Sequence, residues 1–95
     1  MKKYFQASFI YSGLIGGAIT VDENGLTFHT NKLTVESWIR KLRMNDEDID
    51  SVSETRFLLF PEMQFHMKNK EVRRFIIFSP SKMKEVLKEK NIAII

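Results

Sequence analysis

Asn24-Gly25 stands between two runs that alternate apolar and polar side chains, Ile15–Val21 and Leu26–Thr30. Alternation at period two describes a half-buried strand, and Asn-Gly tolerates positive φ at both centres of a tight turn. The segment predicts a β-hairpin with a type I′ connection. Further strand-like runs follow, then one amphipathic helix. That order says more about the kind of object this is than about its ligand.

The other elements follow from the same two periods. Phe5, Ala7, Phe9 and Tyr11 share one face of a first strand, Tyr4–Tyr11, and Ser12-Gly13 turns the chain into a second, Leu14–Asp22. Glycines at 16 and 17 inside that strand predict a bend or a close backbone approach. Leu26 and Phe28 face inward from the third strand, and Asn31–Ser37 reads as a loop. Trp38–Met44 alternates as a fourth strand, with Trp38, Leu42 and Met44 on one face and Ile39, Lys41 and Arg43 on the other. Asn45–Asp48 reads as the cap and first turn of a very short helix. Ser53–Phe60 is a strand stopped by Pro61, which cannot donate to a ladder. Met63–Lys68 and Val72–Phe78 form a second hairpin around Asn69-Lys70. Ser79 as N-cap and Pro80 at the first helical position open a helix to about Lys90, with Met83, Val86 and Leu87 as its apolar stripe. The expected fold class is mainly β: seven strands and one C-terminal α-helix.

Bulk properties bound the function. Ninety-five residues make one domain across 1–95, with Asn91–Ile95 a short apolar tail. The 43% hydrophobic content, including eight Phe, supplies one core. No Cys is present, so disulfides and thiolate metal sites are excluded, which fits a reducing, cytoplasmic setting. The net charge of +3 comes from interspersed rather than blocked residues, so it does not demand an anionic partner. Met1-Lys2-Lys3 before an apolar stretch superficially resembles an export leader, but the pattern argues against one. Gln6, Ser8 and Ser12 interrupt the run, and no cleavage site follows. No segment approaches the ~20 apolar residues of a membrane span, and without one the Gly13/Gly17 pair has no dimerisation meaning.

Four segments together carry a resemblance. They are Gly16-Gly17-Ala18-Ile19-Thr20-Val21 leading into Gly25-Leu26-Thr27-Phe28; Lys41-Leu42-Arg43-Met44; Asp48-Ile49-Asp50-Ser51-Val52; and Arg74-Phe75-Ile76-Ile77-Phe78 before the closing helix. Between about Phe9 and Lys90 the chain resembles a pleckstrin-homology-like domain of the GRAM and small bacterial branch. The resemblance implies a bent, partly open β-barrel of about seven strands capped at one end by the helix. It also implies a non-enzymatic scaffold that binds lipid headgroups, peptides or proteins. Lipid-binding members place basic residues in and beside the first hairpin loop; here that loop, Ser12–Gly17, has no Lys or Arg, which counts against a headgroup clamp.

Asp46, Asp48 and Asp50 are spaced like the start of a calcium loop, but its glycine position is Ser51 and its bidentate glutamate position is Phe57. His29 and His66 lack ligand spacing, so no metal is expected. No nucleophile motif or phosphate loop appears, Glu85 and Glu89 read as ordinary helix surface, and neither catalysis nor a cofactor is expected. Lys68, Lys70, Arg73 and Arg74 gather around one hairpin, softened by Glu71. They are the candidate anion-facing patch, set against a hairpin merely kept soluble and protected from edge pairing. Nucleic acid is disfavoured, because Phe75 and Phe78 are expected inside rather than free for stacking.

Phe57-Leu58-Leu59-Phe60 and Phe75-Ile76-Ile77-Phe78 are apolar at every position, whereas a small barrel needs one apolar face per strand. Either the helix and tail cover the surplus, or another chain does. Phe57, Leu59, Ile76, Phe78, Ile92, Ile94 and Ile95 are the candidate interface. The sequence thus points to a module acting through protein contacts, with itself as a homo-oligomer or with a partner. The alternative is a membrane-peripheral module binding anionic lipid through the basic hairpin.

Overall fold

The computed structural model describes residues 3–95; Met1 and Lys2, the head of the segment weighed as a leader, lie outside the described residues. The strands are β1 (Lys3–Ile10), β2 (Leu14–Val21), β3 (Gly25–His29), β4 (Lys41–Asn45), β5 (Ile49–Phe57), β6 (Phe60–Met67), β7 (Val72–Ile77) and β8 (Ala93–Ile94). A single helical turn, α1 (Ser37–Arg40), precedes β4, a 3-10 turn at Asp46–Asp48 follows it, and α2 (Pro80–Glu89) follows β7. The fold is mainly β with a C-terminal helix, as expected. The strands form one sheet in the order β4-β3-β2-β1-β7-β6-β5-β8, not closed into a barrel. The eighth strand is the apolar tail, which pairs parallel to β5.

The sheet is strongly curled. Phe28 on β3 and Phe75 on β7 lie three strands apart, about 14 Å in a flat sheet, yet their ring centroids are 5.5 Å apart. Phe9 and Phe65 complete this aromatic centre, at 5.1 and 5.8 Å from Phe75. Each such side chain, buried, contributes about 2 kcal/mol of transfer free energy. Met83, Val86 and Leu87 of α2 join the same core. The helix also spans the gap between the sheet's edges. Lys84 bridges to Glu54 on β5 at 3.3 Å, and Lys90 reaches Asp46, just past β4, at 2.8 Å. Lys90 also donates to the Asp22 carbonyl at 2.6 Å.

Several local expectations are corrected. Neither Asn24 nor Gly25 has positive φ, so the β2–β3 connection is not type I′. The Asp22 carboxylate accepts the backbone N–H groups of Asn24 (2.8 Å) and Gly25 (3.0 Å), giving a four-residue turn with Asp first and Gly last. Gly25 is required for space: a Cβ there would stand 2.5 Å from the Met44 carbonyl oxygen. Gly17 makes the close approach that was expected, since a Cβ there would fall onto the His29 carbonyl oxygen. Trp38 and Ile39 are helical rather than extended. The Ile39 N–H donates to the Glu36 carbonyl at 3.0 Å, and the turn buries Ile39 where a strand would have pointed it outward. Trp38 is left at the surface, edge-on to Tyr11 at 5.2 Å and under the Arg73 guanidinium at 5.5 Å.

The segment expected to end at Pro61 is a hairpin. β5 stops at Phe57, Leu58-Leu59 make a two-residue turn, and Pro61 lies inside β6 opposite Arg56. Pro61 is tolerated because β7 begins pairing with β6 only at Glu62, so no ladder partner waits for its missing N–H. Ser79 and Asn45 precede their helices without a side-chain cap; the Asn45 side chain instead accepts from Arg43 Nε (3.0 Å) and donates to Asp48 (3.3 Å).

Candidate functional site

The β5–β6 hairpin ends in apolar side chains that the described residues leave largely exposed. Leu58 is 79% exposed, Leu59 87% and Phe60 45%. Phe78, just past β7 and 52% exposed, meets Phe60 edge-on at 6.3 Å. Phe57 is half-buried beside them. Leu58 also holds φ at 57°, a left-handed conformation that costs a non-glycine residue about 1–2 kcal/mol. A soluble hairpin would place Gly or Asn there. Strain and exposed apolar area coincide at one tip, the combination expected of an element kept for contact rather than for stability. Beside the tip lies a recess of about 450 Å³ lined by Glu54, Thr55 and Arg56 of β5, Leu59 of the turn and Pro61 of β6.

The remaining candidate interface residues are divided. Ile76 is buried, between Ser8 and Glu62 in cross-strand register, and Ile92 is buried in the core. These two therefore present no surface. Ile94 packs against the core from β8, whereas Ile95, just past that strand, is exposed. The fully apolar β7 stretch is thus satisfied within the monomer at Phe75, Ile76 and Ile77, and left open only at Phe78.

The basic hairpin does not act as one patch, because consecutive strand residues face opposite ways. Arg73 points to the inner face, over Trp38, and pairs with Glu71 at 3.0 Å. Arg74 points to the outer face and grips Glu62, Nε to Oε2 at 2.7 Å and Nη2 to Oε1 at 3.1 Å. Glu62 is only 1% exposed. The Arg74 hydrogen bond holds its carboxyl below the usual range against the opposing effect of burial, and the Gln64 amide at 2.8 Å assists. Lys68 and Lys70 remain at the turn, lining a recess of about 390 Å³ with His66, Ile95 and the acidic Asp50 and Glu71. Carboxylates are interleaved with the lysines, so the recess has no single sign.

The other candidates resolve into structure. His66 shares a 2.7 Å hydrogen bond with Ser53 across the β5–β6 pair, and exposed His29 lies 3.3 Å from Thr20. No group of three or more His, Cys, Asp or Glu able to hold a metal occurs among the described residues. Asp46 serves as the anchor for Lys90. Asp22 is tied to Arg43, Nη1 to Oδ2 at 2.6 Å, and this bond, with the Asn24 N–H, drives its carboxyl well below the usual range. Among the described residues no helix is long and apolar enough to cross a membrane. Sequence reading missed Glu62 and Lys90, whose partners lie 12 and 44 residues away with no motif to announce them. The Leu58-Leu59 turn carried no local signal either, because the run Phe57–Phe60 holds none of the Gly, Asn or Asp residues that mark a two-residue hairpin.

No protein-family model matches this sequence, and no curated protein matches it. Among solved structures, the chain is similar to the crystal structure of the C-terminal domain of an unknown protein from Leishmania infantum. The TM-score is 0.75 at 11% identity, covering 93% of this chain and 80% of that one. At that identity the likeness speaks for the fold alone.

Proposed function

We propose that this chain is a non-catalytic binding module of the pleckstrin-homology-like, GRAM-related type that works through protein contacts and associates with itself. The observation that carries the reading is the β5–β6 tip, where Leu58, Leu59, Phe60 and Phe78 are exposed together and Leu58 is held at positive φ. Burying these four against a second surface recovers transfer free energy that the monomer forgoes, at about 25 cal/mol per Å² of apolar area. The curled sheet with its C-terminal helix supports the family reading, and the absence of cysteine supports a cytoplasmic setting. Lipid binding through the basic hairpin loses support, since Arg73 and Arg74 are engaged by Glu71 and Glu62 on opposite faces.

Sedimentation velocity over a wide concentration series tests this directly. The wild type is expected to shift toward a larger species as concentration rises, and Leu58→Ser with Leu59→Ser to abolish the shift while far-UV circular dichroism stays unchanged. A wild type that remains monomeric throughout refutes the reading. Salt-sensitive binding to anionic vesicles, lost in Lys68→Glu with Lys70→Glu, would move the assignment to the membrane alternative.

A further inference from the structure

The free stretch of β5 is a sheet edge whose residues complement themselves. β8 covers only Ser51 and Val52, and its last contact is the Ile95 N–H donated to the Val52 carbonyl at 2.8 Å. Because Val52 directs its backbone groups outward, alternation directs those of Glu54 and Arg56 the same way. Among the described residues neither has a backbone partner on that side. Unpaired edge groups of this kind are a template for another strand unless the chain blocks them.

The side chains settle which strand fits. We propose that a second copy of this chain docks antiparallel along β5, with the two-fold axis at Thr55, so that Glu54 of each copy lies opposite Arg56 of the other. This rests on the self-association reading above and specifies its geometry. In that register Glu54 and Arg56 form the hydrogen-bonded pairs and Thr55 meets Thr55 at the non-hydrogen-bonded centre, as the outward direction of the Glu54 and Arg56 backbones requires. Opposite charges face each other twice, an arrangement that stabilises cross-strand pairs. No described residue forms an ion pair with Arg56, so it is available; Glu54 keeps Lys84 on its inner side. The pairing runs only from Glu54 to Arg56 of each copy, because Ile95, just past β8, stands at the edge beside Ser53 and stops the partner's strand there; the exposed Ile95 is then the apolar side chain that each Leu58-Leu59 tip meets. The opposite edge of the sheet behaves differently. On β4, Lys41 and Arg43 are both basic, so pairing two copies there about Leu42 sets cation against cation. About its own axis the β5 edge sets opposite charges against each other, and the β4 edge, where Asp22 holds Arg43, offers no such match.

The chain has no cysteine, so a single engineered one reports the register cleanly. Residues paired across a non-hydrogen-bonded antiparallel site have Cα atoms about 4.5 Å apart, within disulfide range. Thr55→Cys is expected to give a disulfide-linked dimer under mild oxidation, faster than Ser81→Cys on the exposed face of α2. Glu54→Arg and Arg56→Glu should each weaken association at least tenfold, and the double swap should restore it to within about threefold. Lys84→Ala, which frees Glu54 without altering the edge, should leave association unchanged and separates edge repulsion from loss of that bridge. A protein that self-associates but fails to cross-link at 55 overturns this edge while the self-association reading stands. Failure of the double swap to restore binding overturns the register. A monomer at every concentration overturns both.

Discussion

Arg74→Ala tests whether Glu62 is held as the structure indicates. The carboxylate is 1% exposed and has three hydrogen bonds, two from Arg74 and one from Gln64. Removing Arg74 leaves a buried charge with only the neutral amide. Breaking such a pair from one side costs about 3–5 kcal/mol. The Arg74 side chain is itself 43% exposed, so the lower end applies, about 3 kcal/mol at neutral pH. That is a substantial part of the 5–15 kcal/mol typical of a whole domain. The pH dependence has a definite sign. In the wild type the Glu62 carboxyl is held below its ordinary value. Its stabilisation is therefore present above the unfolded pKa of about 4.3 and is lost as pH falls through the lower folded value. In the variant, desolvation acts without the guanidinium and raises the carboxyl above its unfolded value. The penalty is then greatest at neutral pH and is relieved as the pH falls and Glu62 takes a proton. The penalty should therefore be smaller at pH 5 than at pH 7.5. Urea denaturation of both proteins between pH 5 and 7.5 measures it. Replacing Glu62 and Arg74 together by Leu should come close to neutral, because the buried charge goes with its partner. A penalty below about 1 kcal/mol at pH 7, or one that does not change across this range, would show that water already reaches Glu62.

Lys90→Met removes the anchor between α2 and the β2–β3 and β4 ends, and strands Asp46, whose Oδ1 is already buried without a partner. It should lower stability by about 2–4 kcal/mol in thermal unfolding; a loss under about 1 kcal/mol would mean the helix is held by its apolar stripe alone. Gly17→Ala should cost about 2–3 kcal/mol, because its Cβ meets the His29 carbonyl and the Phe28 ring, whereas Gly16→Ala, with nothing nearby, should stay within about 0.5 kcal/mol. Equal melting temperatures for these two variants would contradict the close approach of β2 and β3. Leu58→Gly should stabilise the monomer by about 0.5–1 kcal/mol by relieving the left-handed strain, and at the same time weaken self-association. A variant that gains stability and associates undiminished would remove Leu58 from the interface.

Local chemistry determined the class of this molecule. Period-two runs placed nearly every strand, the Met83–Val86–Leu87 stripe placed the helix, and the lack of cysteine removed thiolate chemistry, because each depends on neighbours within a few residues. The turns were legible as breaks but not as geometries. Asn24-Gly25 marked a hairpin correctly, yet Asp22 took the turn's N–H groups, and Gly25 proved necessary for room beside Met44. Trp38 and Ile39 fit a strand by pattern until the core's demand for Ile39 made a helical turn the better solution.

Only the tertiary structure decided what faces out. Arg73 and Arg74 are adjacent in sequence and opposite in space, so four charges that read as one patch became two ion pairs and two lysines. Ile76 and Ile92 read as surplus apolar surface and are buried, while Leu58, indistinct within its apolar run, stands exposed at the tip. Burial depends on strand order and curl, and those come from pairings such as β1 with β7, which join residues nearly seventy positions apart. No short window of sequence contains that information, because the free energy that selects it belongs to the packed sheet as a whole.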